Sequence, residues 1–405
     1  MLPVNPCLGF TLKCGAAAVV LAYGLLTMDA SAQAWAQEAP EGKTDAVALG
    51  LTYKADVSGV VAGGVSKAGR FLDDLELTAE FSLEDLVGWS AAKVYGHLLS
   101  NTGGVPNDLA GTLQGIDNIE VGRPRAKLYQ LWLEQEFADG RASLLTGLYD
   151  LNSEFYQTES AGLLIAPAFG IGSELAATGP NGPSIFPSTA LALRARWDVA
   201  DGQRIQGAVL NASAGVFGDP GGVDTSFDSG ALLVGEWVHS GDLSVRVGAW
   251  RYTETQDDIR DTDSFGAPVQ RNAQGVYASL EGPLGSFGDS SLTGFLRAGA
   301  ADGQTSPYVG GWQAGVLASP VFASRPDSAF SFGLNQGLIN SRQRANDRDL
   351  GVASARGESA IEITYADKVG ENLTLQPDLQ VIHNPAADTE RDAVVVATLR
   401  ATLEY

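Results

Sequence analysis

VVATLRATLEY, residues 395 to 405, alternates apolar and polar side chains up to an aromatic last residue, Tyr405. The odd positions are apolar, whereas the even positions from Thr398 onward carry hydroxyls and the charges of Arg400 and Glu404. A period of two places one face of a β-strand in an apolar environment and the other in water. A terminal aromatic in register with the apolar face fits the interfacial girdle of a membrane barrel. The stretch therefore predicts a strand of a closed membrane β-barrel.

The same rhythm recurs upstream, for example in DLELTAEF, residues 74 to 81. Its carboxylates would be costly in a dry core but stay solvated in a water-filled lumen. Comparable segments number sixteen, and an even number is expected of a bacterial barrel. The predicted strands are 47–53, 74–81, 93–99, 129–134, 141–149, 191–197, 204–211, 231–238, 243–252, 275–280, 291–298, 308–318, 330–338, 361–365, 373–381 and 395–405.

The links between these segments alternate in length. Short polar turns, such as those at 138–140, 200–202 and 240–242, are set against long Gly-, Pro- and Asp-rich links at 100–125, 150–188, 214–230 and 253–275. This alternation matches the short periplasmic turns and longer outer loops of outer-membrane barrels. We predict an all-β fold: one closed antiparallel transmembrane β-barrel of sixteen strands, spanning residues 45 to 405.

The first residues read as a signal peptide. Lys13 precedes the apolar run Gly15 to Leu26, and two small-x-small cleavage sites follow, at 30–32 and 34–36. About twelve apolar residues are too few for a helix to cross roughly 30 Å of hydrocarbon. We expect export through a cleaved leader, residues 1–32 with cleavage as late as 36, and then a short polar extension, residues 33–44. Both cysteines lie in the leader, so the mature chain is expected to lack disulfides.

The composition argues against several function classes. A net charge of −22 argues against nucleic acid as a partner, since phosphate binding needs clustered Lys and Arg. His97, His239 and His383 are widely spaced and accompany no GxSxG or HExxH motif, so we predict no enzyme and no cofactor. The acidic tract QDDIRDTD, residues 256–263, lacks EF-hand spacing; solvated charge rather than a metal site is expected there.

Several strings in this order resemble the carbohydrate-selective porin family, OprB type. They are SLEDLVGW (82–89), KLYQLWLEQEFADGRASLLTGLYDLNSEF (127–155), AGLLIAPAFG (161–170), GDPGG (218–222) with LLVGEW (232–237), and LQPDLQVIHNP (375–385). The compact first segment and the tract 256–263 depart from the family pattern. The resemblance implies a Gram-negative outer-membrane barrel of sixteen strands, narrowed by inward loops, through which small sugars diffuse down their gradient.

Sugar passage needs weak, multi-site contacts from carboxylates, amides, arginines and aromatic faces at a narrow point. Arginine on the lipid face at mid-membrane would cost about 2 to 4 kcal/mol, so arginines within strands are expected to face the lumen. The segment that opens with DLNSE at residue 150 is hypothesised to fold into the lumen; a solvated outer loop is the alternative. The lumen candidates are Trp132, Glu134, Asp150, Asn152, Glu154, Arg194, Arg196, Arg246, Glu362, Gln376, Asp378 and Gln380.

For Arg246, Glu362 and Asp378, structural ion pairing inside the barrel is an equal alternative to contact with solute. Tyr405 is the predicted assembly signal. The expected partners are small neutral sugars, with monosaccharides first, outer-membrane lipid and lipopolysaccharide, and the barrel assembly machinery; monomer and trimer both stay open. Two other readings remain: a soluble secreted carbohydrate-binding β-protein, and a non-conducting outer-membrane barrel that serves as an adhesin or an enzyme.

Overall fold

The computed structural model describes residues 46 to 405, which form one closed antiparallel barrel of sixteen strands. Each strand pairs with its neighbours in the sequence, and the first strand pairs with the last to close the wall. The strands are β1 (Val47–Ala62), β2 (Gly69–Ser82), β3 (Ala92–Gly103), β4 (Arg125–Phe137), β5 (Ala142–Tyr149), β6 (Ala190–Ala200), β7 (Gln203–Asn211), β8 (Ala231–His239), β9 (Ser244–Thr262), β10 (Pro268–Phe287), β11 (Ser290–Ala301), β12 (Tyr308–Ser319), β13 (Ala329–Ile339), β14 (Gly357–Val369), β15 (Leu373–His383) and β16 (Val394–Glu404).

Helical structure is confined to the links. The α-helices are α1 (Leu83–Val87), α2 (Asn107–Ala110), α3 (Ser173–Ala176) and α4 (Ser341–Asp349), and 3-10 turns occupy Leu151–Ser153, Glu159–Ala161, Pro167–Phe169 and Pro385–Ala387. Within residues 46 to 405, none of the helices has the length and apolar character needed to cross a membrane. The predicted signal peptide and polar extension fall outside the described residues and stay predictions.

All sixteen predicted strands are confirmed, but one predicted loop is wrong. Residues 253–275, expected to be a long loop, continue β9 and β10 as a protruding hairpin that turns at 263–267. Its backbone pairing holds Asn272 opposite Thr255 and Gln270 opposite Asp257. Beyond the membrane both faces of a hairpin meet water, so side-chain alternation is lost although the ladder of hydrogen bonds continues.

The two faces of the wall differ as the alternation predicts. Outward-facing side chains are mostly apolar, and aromatic residues gather toward the end that bears the short turns, where Trp197 is 59% exposed and Tyr405 71% exposed. Tyr405 exchanges two backbone hydrogen bonds with Leu51, at 2.9 and 3.0 Å, so the chain remains paired with β1 up to its last residue. This distribution fits an aromatic girdle at one membrane interface.

The links fall into two groups by position. The links at the end where β16 finishes are mostly tight: 83–91, 138–141, 201–202, 240–243, 288–289, 320–328 and 370–372. The links at the opposite end are generally longer: 63–68, 104–124, 150–189, 212–230, 263–267, 302–307, 340–356 and 384–393. By the rule for outer-membrane barrels, the first end faces the periplasm and the second faces outward.

Two of the long links turn back into the barrel; we call residues 104–124 the first inward segment and residues 150–189 the second inward segment. The second segment buries Phe155, Tyr156 and Leu175 against wall residues such as Leu210 and Trp250. The first buries Ile116 and its neighbours against inward valines of β16. The hydrophobic core therefore lies inside the barrel, between these segments and the wall.

Candidate lumen site

The side chain of Arg194, on β6, lies inside the wall and is only 1% exposed. Its guanidinium donates to Glu134 Oε1 at 2.8 Å, to Glu154 Oε2 at 2.7 Å and to Ser143 Oγ at 2.5 Å. Tyr149 Oη also donates to Glu154 Oε2, at 2.5 Å. Three predicted site residues, Glu134, Glu154 and Arg194, thus meet in one network, which ties the start of the second inward segment to β4, β5 and β6.

A row of partly exposed ion pairs continues from this network along the inner faces of β1 to β4. Lys93 Nζ lies 3.7 Å from Glu134 and 3.4 Å from Glu80. Lys54 Nζ lies 2.6 Å from Glu76 Oε1. Because the charges alternate in sign and are not fully buried, this wall offers both donors and acceptors to a passing solute.

An aromatic pair lies within this row. The rings of Tyr95, on β3, and Trp132, on β4, stack with centroids 5.0 Å apart. The ammonium of Lys93 lies 5.6 Å from the Trp132 ring centroid, in a cation–π arrangement. Both rings keep part of their surface exposed on the lumen side. Trp132, predicted to face the lumen, therefore forms a partly open aromatic surface beside charged groups.

The second inward segment is held mainly through its backbone. Glu362, on β14, accepts hydrogen bonds from the backbone N–H groups of Ile165 and Ala166, the latter at 3.0 Å. Arg297, on β11, donates to the carbonyls of Tyr156, Ala168 and Gly170 at 2.7 to 3.2 Å. Its guanidinium also lies 4.9 Å from the centroid of the Tyr156 ring.

The first inward segment is held in the same manner. Glu358, on β14, accepts from the backbone N–H groups of Leu113 and Gln114 at 2.8 to 3.0 Å. Gln380 donates to the Ile116 carbonyl at 2.8 Å. Arg400 donates to Asp56 at 2.6 Å and to Asn118 at 2.7 Å. Buried polar side chains of the wall thus satisfy the backbone of an irregular segment that has little secondary structure of its own.

The remaining predicted residues of β6, β9 and β15 also face inward, but their partners are other residues of the protein interior. Arg246 Nη1 lies 3.3 Å from Glu236. Gln376 donates to the Leu163 carbonyl at 2.6 Å, and Asp378 accepts from Gln380 at 3.1 Å. Arg196 is 17% exposed and pairs with Glu136 at 3.6 Å. The contacts of Gln376 and Gln380 with the inward segments make them anchors in this structure rather than open solute contacts.

Asp150 and Asn152 open the second inward segment. Asp150 accepts from Tyr129 Oη at 2.7 Å and from the backbone N–H of Asn152 at 2.8 Å. Removal from bulk water raises the pKa of Asp150 to about 6, although these hydrogen bonds oppose the shift. Asn152 donates to the Phe155 carbonyl at 3.1 Å, which shapes the turn.

Sequence reasoning missed several residues of the interior. Strict alternation over the predicted strand 129–134 places Tyr129 on the apolar face, opposite Gln130, but an irregularity in the β3–β4 pairing beside Gln130 turns both side chains inward. Glu236, Arg297 and Glu358 were not singled out, although each lies on the polar face of its strand. A strand-interior charge is the signal that could have found them, because such a charge is disfavoured on the lipid face.

The acidic tract 256–263 is also corrected. Asp258, expected to be solvated, is 4% exposed. Its carboxylate accepts from Arg271 at 3.2 Å and Arg342 at 2.9 Å, so the protruding hairpin is fastened to α4. The tract is therefore part of an ion-pair network on the outer side of the barrel.

A closed barrel with an apolar outer face, a charged interior and inward-folded links defines an outer-membrane porin. A model of the carbohydrate-selective porin, OprB family, matches residues 66–405, and the chain belongs to that family.

Individual porins and outer-membrane channels are also similar to this chain. Porin B of Pseudomonas aeruginosa is 23% identical, over 88% of this chain and 88% of its own. The high-pH structure of Pseudomonas putida OprB superposes with a TM-score of 0.81 at 21% identity, covering 89% of this chain and 94% of that one. The outer-membrane channel DcaP of Acinetobacter baumannii gives a TM-score of 0.54 at 11% identity, covering 89% and 97%. At these identities the two structures show the fold alone.

Proposed function

We propose that this porin gives small neutral sugars, monosaccharides first, a passive route across the outer membrane, and that it performs no chemistry on them. The observation that carries the proposal is the stacked Tyr95 and Trp132 pair beside Lys93 and Glu134 on the lumen wall. An aromatic face packs against the C–H surface of a pyranose, while the charged groups exchange hydrogen bonds with its hydroxyls.

The charge pattern supports a neutral solute. Lysines and arginines of the lumen wall alternate with carboxylates at 2.6 to 3.7 Å, so neither sign dominates. A channel for phosphate or a large anion would favour a predominantly basic ring. Paired charges also bind a sugar weakly, which a channel needs if solute is to leave as readily as it enters.

The inward segments supply the narrowing. The contacts of Arg194, Glu362 and Arg297 support a second inward segment that occupies part of the lumen and leaves the wall of β1 to β4 beside the free path. We assign the Trp132, Glu134, Glu154 and Arg194 group to the rim of this narrow region, and Arg196 and Lys93 to its approaches.

Liposome swelling tests this proposal with glucose, glucosamine and glucuronate as probes of similar size and different charge. We expect swelling to be fastest with glucose, and Trp132→Ala to raise the glucose concentration for half-block of ion current by about fivefold, equivalent to ~1 kcal/mol of lost aromatic contact. Trp197→Ala, which removes an outward-facing tryptophan, is the matched control and should leave the block unchanged. Absence of swelling with every monosaccharide would contradict the proposal.

A further inference from the structure

A groove runs along the outward face of the barrel across β8 to β11. Small residues form its floor, namely Gly235, Ala249 and Ala300, and Leu233 and Val276 stand exposed on its walls. Its volume is about 660 Å³. The groove therefore interrupts the surface that the wall presents to lipid.

A second depression of about 420 Å³ adjoins the first and shares Gly235, Ala249 and Val276 with it. It extends to Trp237, toward the short-turn end of the barrel. Four residues of β8 separate Leu233 from Trp237, a rise of about 13 Å at the strand spacing of ~3.3 Å per residue. The combined groove is thus an elongated apolar depression on the outer surface, and its length fits part of an acyl chain.

Arg251 lies at the upper rim of this groove, toward the long loops. Its side chain is exposed on the outward face of β9, where it stands opposite Leu233 and Gln274. In the part of the chain that the structure describes, it makes no ion pair, whereas Arg194, Arg271 and Arg400 each do. Arginine is tolerated on the lipid-facing side near an interface, where its long stem packs on apolar surface and its charge reaches polar groups.

Two carboxylates line the combined groove, Asp302 and the inward-facing Glu236, and within the described residues neither forms an ion pair with Arg251. Asp302 accepts hydrogen bonds from Gln304 N at 2.9 Å, Thr305 N at 3.2 Å and Thr305 Oγ1 at 3.2 Å. Both of its oxygens are therefore engaged by the β11–β12 link. Among the described residues, Arg251 therefore has no ion-pair partner, and its guanidinium can bind an anion at the rim of the apolar groove even though Asp302 lines the same groove.

We propose that this groove binds a phosphorylated lipid of the outer leaflet, with an acyl chain along Gly235 and Ala249 and a phosphate on Arg251. The guanidinium fork matches two phosphate oxygens, and the contact is strengthened where water is scarce. A second copy of the chain fits less well, because a two-fold contact through this face would bring two unpaired arginines together and supply no free carboxylate.

Native mass spectrometry of the purified barrel in detergent, titrated with bis-phosphorylated lipid A, tests the proposal. We expect one tightly bound lipid on the wild-type protein, and about tenfold weaker binding for Arg251→Gln, which removes the charge. Ala249→Leu, which fills the groove and keeps the charge, should weaken binding similarly. Arg70→Gln is the control for the loss of one arginine away from the groove, since Arg70 is exposed near the long-loop end of β2 and its one side-chain hydrogen bond among the described residues goes to the Gly69 carbonyl.

Each variant is first checked for the folded barrel by its gel shift on boiling. Glucose-driven liposome swelling should be unchanged in Arg251→Gln and Ala249→Leu, because the groove lies outside the lumen. Equal lipid A binding by wild type, Arg251→Gln and Ala249→Leu would overturn the proposal. Diacylglycerol, which has no phosphate, binding as tightly as lipid A would remove the role of Arg251. A dimer lost in Ala249→Leu without bound lipid would assign the groove to a second copy.

Discussion

Arg194 shows what a single residue in a strand reveals before its surroundings are known. Its position opposite Leu193 in the alternation predicts that it faces inward, and the structure places it there, 1% exposed. The partners could not be predicted, because Glu154 and Glu134 lie 40 and 60 residues away along the chain. The face on which a side chain lies follows from the local alternation of the strand. Its ion-pair partners depend on which strands and links the closed barrel brings together.

Asp150 gives a prediction at the same scale. With a pKa of about 6, its carboxyl is mostly neutral at pH 5 and mostly charged at pH 7. Reversal potentials in a salt gradient should therefore shift toward cation selectivity as the pH rises through 6. Asp150→Asn should remove that part of the shift, because the amide cannot ionise. Glu159→Gln, at an exposed position of the same segment, is the control, and an identical shift in wild type and Asp150→Asn would refute the assignment.

At the scale of elements, the two inward segments and the protruding hairpin show which strands and links could be predicted from the sequence and which could not. Period-two alternation located all sixteen strands because lipid and water face the two sides of each. It failed at residues 253–275, where both sides meet water, and at Tyr129, where a bulge turns the chain. The hypothesis of an inward link after β5 rested on family-like strings, and the inward course of residues 104–124 was not foreseen because Glu358, Gln380 and Arg400 anchor it from distant strands.

The ion pairs that hold the second inward segment to the wall can be tested by removing the side chains that form them. Arg194→Ala leaves the buried Glu134 with only the more distant Lys93, 3.7 Å away, so the loss is expected to be at most the ~3–5 kcal/mol of breaking a buried ion pair. We expect a lower thermal unfolding temperature for this variant. The double variant Arg194→Ala, Glu154→Ala should loosen the segment and change both ion conductance and sugar block.

Arg204→Ala is the control for both measurements, because Arg204 pairs with Asp198 in a partly exposed position beside a short turn. Such a pair contributes only about 0–1 kcal/mol. If the double variant kept the conductance and the sugar block of the wild type, the proposed narrowing at Glu154 and Arg194 would be wrong.

At the scale of the whole molecule, closure of the wall gives every strand a hydrogen-bonded neighbour on both sides. The sheet formed by residues 46 to 405 has no free edge, so its backbone hydrogen bonds can be satisfied inside lipid. We expect the protein to stay in membranes that are washed without detergent. After purification, it should migrate faster on gels before boiling than after. A chain that left the membrane in buffer alone, without detergent, would instead support the soluble carbohydrate-binding alternative.

Tyr405 belongs to this scale because it lies at the seam where β16 meets β1. Its deletion should lower the amount of barrel in the outer membrane before it alters permeability, while Tyr405→Phe, which keeps the aromatic ring and the backbone pairing with Leu51, should assemble normally. Quantitative immunoblotting of outer-membrane fractions measures both. Normal levels of the shortened chain would withdraw the assembly role.

Three anchors of the inward segments bind main-chain atoms: Glu358 and Glu362 accept from backbone N–H groups, and Arg297 donates to backbone carbonyls. Such attachment does not depend on which side chains the gripped residues carry. Substitutions among the gripped residues can therefore accumulate without dislodging the segments, as long as the wall keeps its two glutamates and its arginine. In evolutionary terms, the solute preference of the channel is free to drift while its architecture is held constant.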